Sequence, residues 1–537
     1  MRRPFYIPSP YPSAAMLFIA GCSKRVVRPL ALTSALLCAG AATLGAGASD
    51  GQQTSGRDLL DYGPHAVGFR IISKKDASRE YFLPGSTDDS PGGYGPRAVQ
   101  IVVWYPATGA TAIGAMTFKD YVLAGAEEEV FGPPSRARRD KALEEFRRDT
   151  LSQGADPRDL DRLLDSKVRA SRDAPPEAGS FPLVLYAHNF TYEKSVLCEY
   201  LASHGFVVAS VPYLGTYERD PDVGVTLLET EIRDLEVALD VLSGDAGSGN
   251  RRVGIVGMSF GALSALGFQM RHPRVAAVVS LDGGIGSATD PYMLKQSPFY
   301  SLERVRAPLL HLYGTDVAGT DLTFVRGLKY SERWLVGFPG LRHGDFAGYG
   351  ILTVAVPKIR GEAPANVPAA TARAFSYVAQ FLRRYLVPEA RDRGFAAEDL
   401  KIEHLRATTA PPRLEELRVK LRKEGMTGLV VLHDALHRDD PQPFGQDTYR
   451  LIGSWLLEQG RASEARQWFQ LQIGDYPASA QAHYFYAVSS QRSDNPKAAR
   501  EHFEKTLALL ESDADLDAPV RERLSKRASA ALKNLPR

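Results

Sequence analysis

Ser259 is the residue of this sequence best placed to do chemistry. It is the centre of a Gly-x-Ser-x-Gly stretch, residues 257–261, which follows an apolar β-rich run at 253–256 and precedes a helix-forming run at 262–266. A strand–turn–helix of this kind holds the serine on a strained turn that glycines on either side permit. Its hydroxyl then lies beside a helix N-terminus, which favours developing negative charge. The pattern predicts a nucleophile that attacks a carbonyl carbon, and a glycine-rich turn with a surface serine is the alternative.

A serine nucleophile needs a general base, and His343 is the histidine in a suitable position. Strands are predicted at 308–314 and 333–338, and His343 lies in the loop after the second one. His272 follows the serine sooner, but the proline after it ends the predicted helix and places this histidine at the surface. We therefore expect His343 to take the proton from Ser259.

Two aspartates qualify as the acid that orients the histidine. Asp282 follows a buried strand predicted at 275–281, whereas Asp316 follows the next strand, 308–314. Open α/β sheets place their sites at the carboxyl ends of the strands, so both positions fit. Either aspartate also fits a strand-end turn in which it caps backbone N–H groups. The residues alone leave the acid open between Asp282 and Asp316.

Two backbone N–H groups are predicted to stabilise the oxyanion. The first belongs to Phe260, directly after the nucleophile. The second lies on the loop after the buried strand predicted at 181–187, and we assign it to Phe190 or its neighbour. His188, in the same loop, is interpreted as a structural histidine. This chemistry needs no cofactor and no metal, and none is expected.

These motifs resemble those of the platelet-activating factor acetylhydrolase and dienelactone hydrolase-like branch of the α/β-hydrolases. The resemblance implies an α/β-hydrolase fold, with a mostly parallel sheet flanked by helices. It also implies a serine esterase that acts on short-acyl lipid esters or small-molecule esters. In the acetylhydrolases the acid follows the strand after the nucleophile, which favours Asp282. The resemblance covers roughly residues 60–388 and rests on residues 182–189, 201–208, 257–261, 281–283 and 343–346.

Two positions depart from the patterns of this branch. Asn189 stands where the acetylhydrolases usually have glycine, which leaves the second oxyanion donor open. Dienelactone hydrolases tend to use a cysteine nucleophile, whereas this chain has Ser259, so their specific reaction does not carry over.

Composition sets the broad class of the protein. A chain of 537 residues with 44% hydrophobic residues is long enough for two or three domains with a large core. A net charge of +2 argues against a nucleic-acid surface. Two functions stay open: an ester hydrolase, or a catalytically weak scaffold of the same fold whose C-terminal repeats bind a protein partner.

The N-terminus has the pattern of an export signal. Basic residues at 24–28 precede an apolar, small-residue run at 30–44, and an Ala-x-Ala cleavage site follows at 46–48. We therefore expect residues 1–48 to be a signal peptide and the protein to be periplasmic or secreted. A lipoprotein box that ends at Cys22 is the second interpretation. Export leaves Cys198 as the remaining cysteine, predicted to be a buried thiol.

A charged, helix-patterned insertion occupies residues 117–175. Insertions of this length near the carboxyl ends of the strands often form lids over a site. A surface decoration that never touches substrate is the other interpretation.

Beyond residue 390 the pattern is typical of helices alone, and residues 410–535 contain an internal repeat. A period of 34 residues resembles tetratricopeptide repeats, with 414–436 as a degenerate earlier copy. Such arrays bind peptides or proteins in a concave groove, and a helical buttress packed on the hydrolase is the alternative. The repeating positions are Gly453, Ala465 and Phe469, followed by Ala487, Ala499 and Phe503.

Overall fold

The computed structural model describes residues 56–83, 92–109, 114–243, 252–390 and 400–535. The predicted signal peptide, residues 1–48, lies outside the described residues, and so does Cys22. Among the helices that are described, none is both long and apolar enough to cross a membrane.

Within these ranges, eleven strands form one sheet and sixteen α-helices surround or follow it. Strands β1 to β11 are, in chain order, Ala66–Leu83, Gly93–Ala107, Ala115–Thr117, Lys167–Arg172, Leu183–Ala187, Val207–Ser210, Val253–Met258, Val275–Leu281, Leu309–Gly314, Arg333–Phe338 and Lys401–Leu405. Helices α1 to α16 are Phe118–Val130, Arg136–Ser152, Pro157–Asp165, Thr191–Ser203, Val225–Ser243, Gly261–Arg271, Pro291–Lys295, Thr323–Arg326, Tyr349–Leu352, Val367–Leu386, Leu414–His437, Gln446–Glu458, Ala462–Asp475, Ala480–Arg492, Pro496–Leu509 and Ala518–Asn534.

The order of strands in the sheet is β11-β10-β9-β8-β7-β5-β6-β2-β1-β4-β3. The central strands from β10 to β6 are mutually parallel, whereas β2 and β1 continue the sheet in antiparallel pairs. Strands β5, β7 and β9 are buried at every residue, as expected for parallel strands covered on both faces. The loops after the parallel strands therefore meet along one edge of the sheet. A mostly parallel sheet with flanking helices, followed by a helical region, confirms the predicted fold class.

Alternate residues of each central strand divide the core into two layers. On β5, Val184 and Tyr186 belong to the layer that contains α4 and α10, whereas Leu183 and Leu185 belong to the layer that contains α5 and α6. Cys198, on α4, is a buried free thiol in the first layer, as predicted.

The sheet ends in a strand that the sequence pattern did not predict. Strand β11 pairs with β10 in antiparallel register, so the prediction of helices alone beyond residue 390 is wrong here. His404 on β11 stacks on Trp334 with ring centroids 3.7 Å apart. The strand is short, and every one of its residues is at least partly accessible to solvent, with Lys401 and Glu403 among them. Such composition is typical of protected edge strands and carries little apolar signal.

The insertion at 117–175 forms three helices framed by β3 and β4. Leu160 and Leu163 are buried in the same core layer as α4, so the insertion is part of the packed domain. At the start of α4, Thr191 donates a hydrogen bond of 3.2 Å to Glu128. The insertion thus reaches the segment that follows β5, and its function as a lid stays a prediction.

The helical region repeats its elements with the period seen in the sequence. Helices α12 and α14 begin at residues 446 and 480, and α13 and α15 begin at 462 and 496. Ala487, Ala499 and Phe503 share one buried cluster between α14 and α15. Helix α11, which covers the proposed degenerate copy, breaks at Gly425, where φ is 67°. The assignment of these helices to tetratricopeptide repeats stays a prediction.

Polar contacts join the helical region to the sheet domain. Glu303 accepts a hydrogen bond of 3.1 Å from the backbone of Gly445, and Lys329 donates one of 2.8 Å to Asp440. The hydroxyl of Tyr330 donates to the carbonyl oxygen of Pro443 at 3.1 Å. The segment 440–445 therefore docks the helices onto the loops around 303 and 330.

Substitution of two glycines in this region by alanine should change the stability of the protein in opposite directions. A Cβ atom at Gly453 would lie 2.1 Å from the ring of Phe469, whereas one at Gly474 would meet nothing within 4 Å. We expect Gly453→Ala to destabilise by about 1–3 kcal/mol through overpacking. Gly474→Ala should instead gain up to about 1 kcal/mol of helix propensity. Calorimetric melting of both variants checks this, and equal melting temperatures would contradict the packing.

Candidate active site

Ser259 lies on the turn between β7 and α6 in a left-handed conformation, with φ 56°. Such a φ is uncommon for a residue with a side chain and marks a strained turn. A Cβ atom at Gly257 would lie 2.1 Å from the carbonyl oxygen of Gly261, and one at Gly261 would lie 2.4 Å from that of Ala187. Both flanking positions therefore require glycine, and the turn has the geometry of a nucleophile elbow.

The structure brings Ser259, His343 and Asp282 together in one hydrogen-bonded chain. His343 Nε2 lies 3.0 Å from Ser259 Oγ, and His343 Nδ1 lies 2.7 Å from Asp282 Oδ2. One neutral tautomer makes both bonds: Nδ1–H donates to the carboxylate, and Nε2 accepts from the hydroxyl. The side chain of His343 is 52% exposed, whereas that of Asp282 is 8% exposed. The base therefore faces solvent while the acid is shielded.

The two candidate acids occupy different places. Asp282 also accepts a hydrogen bond of 3.1 Å from the N–H of Gly314, which fixes its carboxylate toward His343. Asp316, in the loop after β9, accepts one of 2.9 Å from the N–H of Gly340 in the loop after β10. The structure thus places Asp282, and not Asp316, in contact with the histidine.

The loop after β5 has two consecutive left-handed residues, His188 and Asn189, each with φ 72°. Asparagine tolerates this conformation better than most residues, so Asn189 can hold the turn without a glycine. Phe260 directly precedes α6, so its N–H belongs to the unsatisfied N-terminal set of that helix. The N–H of Phe190 donates to Glu193 Oε2 at 3.2 Å. Phe260 and Phe190 as oxyanion donors stay a prediction.

Two fully buried ionisable side chains hold the His188 peptide from opposite sides. Lys194 donates a hydrogen bond of 3.0 Å to the carbonyl oxygen of His188, and its burial lowers the pKa of the ammonium group. Glu231 accepts from the N–H of His188 and from the hydroxyl of Ser264 on α6. Burial raises the pKa of Glu231 to about 7, although Ser264, Lys194 and the His188 N–H oppose this. These contacts fasten the loop to the helix that carries the nucleophile.

Glu193 fixes the other half of the same loop. Its carboxylate accepts hydrogen bonds of 3.0 Å from the Asn189 amide and 2.9 Å from the Tyr349 hydroxyl. Arg360 donates to the same carboxylate at 3.0 Å. The segment that follows His343 is thereby tied to the segment that follows β5.

The imidazole of His188 is mostly shielded from solvent and neutral. Burial, with Lys194 and His343 nearby, lowers the pKa of His188 to about 3. Its ring packs against Tyr213 and Phe260, with centroids 4.0 and 5.7 Å away. This environment suits the interpretation of His188 as a structural histidine.

Sequence reasoning did not single out Lys194, Glu231 or Glu193. The residues of α4 are mostly apolar or small, but a glutamate and a lysine lie near its start. These two charged residues were the sequence feature that could have indicated a buried polar contact. Nothing in the sequence distinguishes Glu231, because it is one of several glutamates on α5 and such residues are usually exposed to solvent.

Comparison with known proteins gives a likeness among solved structures. No family model and no curated protein matches the chain. Among solved structures, a ferulic acid esterase from Streptomyces cinnamoneus is similar over 65% of this chain and 99% of its own. The two share 20% sequence identity, with a TM-score of 0.44.

The raised pKa of Glu231 predicts a pH-dependent stability difference. Its carboxyl titrates near 4.5 when unfolded and near 7 when folded, so the native protein loses stability as pH rises through this interval. Glu231→Gln cannot ionise, and its melting temperature relative to wild type should therefore rise between about pH 5 and pH 8. Melting curves across that range measure the difference. A difference that stays constant with pH contradicts a buried, late-ionising Glu231.

Proposed function

We propose that this protein is a serine hydrolase that cleaves carboxylic esters through an acyl-enzyme. The observation that carries the proposal is the continuous contact from Ser259 Oγ through His343 to Asp282, at 3.0 and 2.7 Å. A nucleophile, a base and an acid in this arrangement can activate a hydroxyl without a cofactor.

Each residue has a defined step in the proposed reaction. Ser259 Oγ attacks the ester carbonyl while His343 Nε2 accepts its proton. The carboxylate of Asp282 stabilises the resulting imidazolium. The N–H groups of Phe260 and of Phe190 or its neighbour are proposed to stabilise the oxyanion. His343 then protonates the leaving alcohol, and water releases the acid from Ser259.

The surroundings of Ser259 support an apolar acyl group on the substrate. The rings of Tyr213 and Phe260 contact each other at a tilt of 60°, with centroids 6.0 Å apart. Phe190 is 47% exposed and stacks on Tyr192 at 5.5 Å. Short-acyl esters of lipids or small molecules, as the acetylhydrolase resemblance implies, are the substrate class we propose.

The esterase and scaffold hypotheses differ in whether Ser259 is a reactive nucleophile. We expect a fluorophosphonate probe to label wild-type protein at Ser259, and Ser259→Ala to abolish both labelling and hydrolysis of p-nitrophenyl acetate. Loss of a serine nucleophile costs on the order of 10⁴–10⁶ in kcat. Ser512→Ala, which changes an exposed serine of the helical region, is the control and should still be labelled. Folded wild-type protein that resists the probe favours the scaffold.

Substitution of each aspartate tests which one is the catalytic acid. Asp282→Asn should lower kcat for p-nitrophenyl acetate about 10³–10⁴-fold, because the imidazolium loses its carboxylate partner. Asp316→Asn should change kcat less than about threefold, since this carboxylate contacts Gly340 and not the histidine. The reverse order of effects would show that Asp316 is the acid.

A further inference from the structure

A cluster of two histidines and one aspartate lies in the helical region, away from the helices and strands that form the candidate active site. His433 and His437 are four residues apart on α11, so both point to one face of the helix. Asp475, the last residue of α13, lies against that face. His433 Nε2 and His437 Nδ1 each lie 3.1 Å from Asp475 Oδ1.

We propose that His433, His437 and Asp475 bind one divalent transition-metal ion of the zinc class. The three ligand atoms all lie within 4.8 Å of one another. In a tetrahedral zinc site, bonds of about 2.0–2.1 Å put neighbouring ligand atoms roughly 3.3 Å apart. Two of the three separations are already at 3.1 Å, so a small adjustment of the His437 ring closes the site.

Outer contacts orient the proposed ligands. The other nitrogen of His433, Nδ1, lies 3.1 Å from Asp434 Oδ1, which directs Nε2 inward. The hydroxyl of Tyr449 donates to Asp475 Oδ2, which also lies 3.3 Å from His433 Nε2, and Oδ1 faces both histidines. A carboxylate behind a ligating histidine is the usual means by which proteins fix its tautomer and ring orientation.

Ligand chemistry selects the class of metal. Magnesium and calcium prefer sites built from oxygen, whereas two imidazoles with one carboxylate suit zinc, cobalt, nickel or copper. The side chains of Asp475 and His433 are 1% and 7% exposed, and that of His437 is 44% exposed. The fourth coordination position therefore faces solvent, where water completes the shell and the ion gains access.

The proposed ion would link α11 to the end of α13. It joins two helices of the region by a bond that neither hydrophobic packing nor the repeat pattern supplies. The sequence was expected to bind no metal. The pair His433 and His437 gains a third ligand only through the fold. This site does not depend on the proposed esterase function.

Zinc titration of the full-length chain tests the proposal. After treatment with EDTA and dialysis, calorimetry with ZnCl₂ should show one equivalent bound at α11 and α13, and zinc should raise the melting temperature. Titration with CoCl₂ should produce the intense visible bands of a low-coordinate cobalt site. Wild-type protein that takes up neither metal overturns the proposal.

Variants locate the bound metal. His437→Ala should raise the Kd for zinc at least about 100-fold, because even loss of an outer partner costs 10- to 100-fold. Its partly exposed side chain allows the variant to fold, which the unchanged apo melting temperature verifies. Asp434→Asn should weaken binding about 10-fold. His404→Ala is the matched control, since His404 contacts one carboxylate, Glu332, at 2.8 Å without a second histidine there.

The candidate active site is the competing location for zinc, since it contains His343. His343→Ala should therefore leave the equivalent at α11 and α13 intact. Zinc binding that persists in His437→Ala and disappears in His343→Ala overturns the proposal and places the ion at the active site.

Discussion

The backbone of Ser259 sets the constraint on which the candidate active site depends. A left-handed serine between β7 and α6 is tolerable because Gly257 and Gly261 leave room for the carbonyl groups around it. The same turn fixes where the neighbouring loops must lie, since Ser259 donates its N–H to Leu281 and accepts at its carbonyl from Gly284. The strand end that carries Asp282 is thus bonded directly to the nucleophile's backbone. Parallel strands on both sides then determine the distance from serine to acid.

Much of this arrangement could be predicted from the sequence, because the relevant signals are local. The glycines around Ser259, the strand before Asp282 and the loop after β10 are each readable from a few neighbouring residues. The choice of Asp282 over Asp316 needed family resemblance, because both aspartates end a strand. The structure distinguishes them by their hydrogen bonds, since Asp282 contacts His343 and Asp316 contacts Gly340.

What the sequence could not supply depends on contacts between distant residues. Strand β11 is short and charged, so only its pairing with β10 defines it. Glu231 and Lys194 are ordinary charged helix residues until the fold buries both beside the His188 peptide. His433 and Asp475 are 42 positions apart, a separation that no local pattern spans.

The hold on the His188 peptide has a consequence for how this sequence can change over time. Where glycine allows a left-handed loop conformation, substitutions at other positions do not disturb the loop. Here the shape is stabilised by a buried cation on one side and a buried carboxyl group on the other. Loss of either one removes a favourable partner from the other, and breaking a buried pair is more costly than exchanging both residues for apolar ones together. Lys194 and Glu231 should therefore vary as a unit among descendants of this chain, and the loop becomes epistatic with two helices outside the active site.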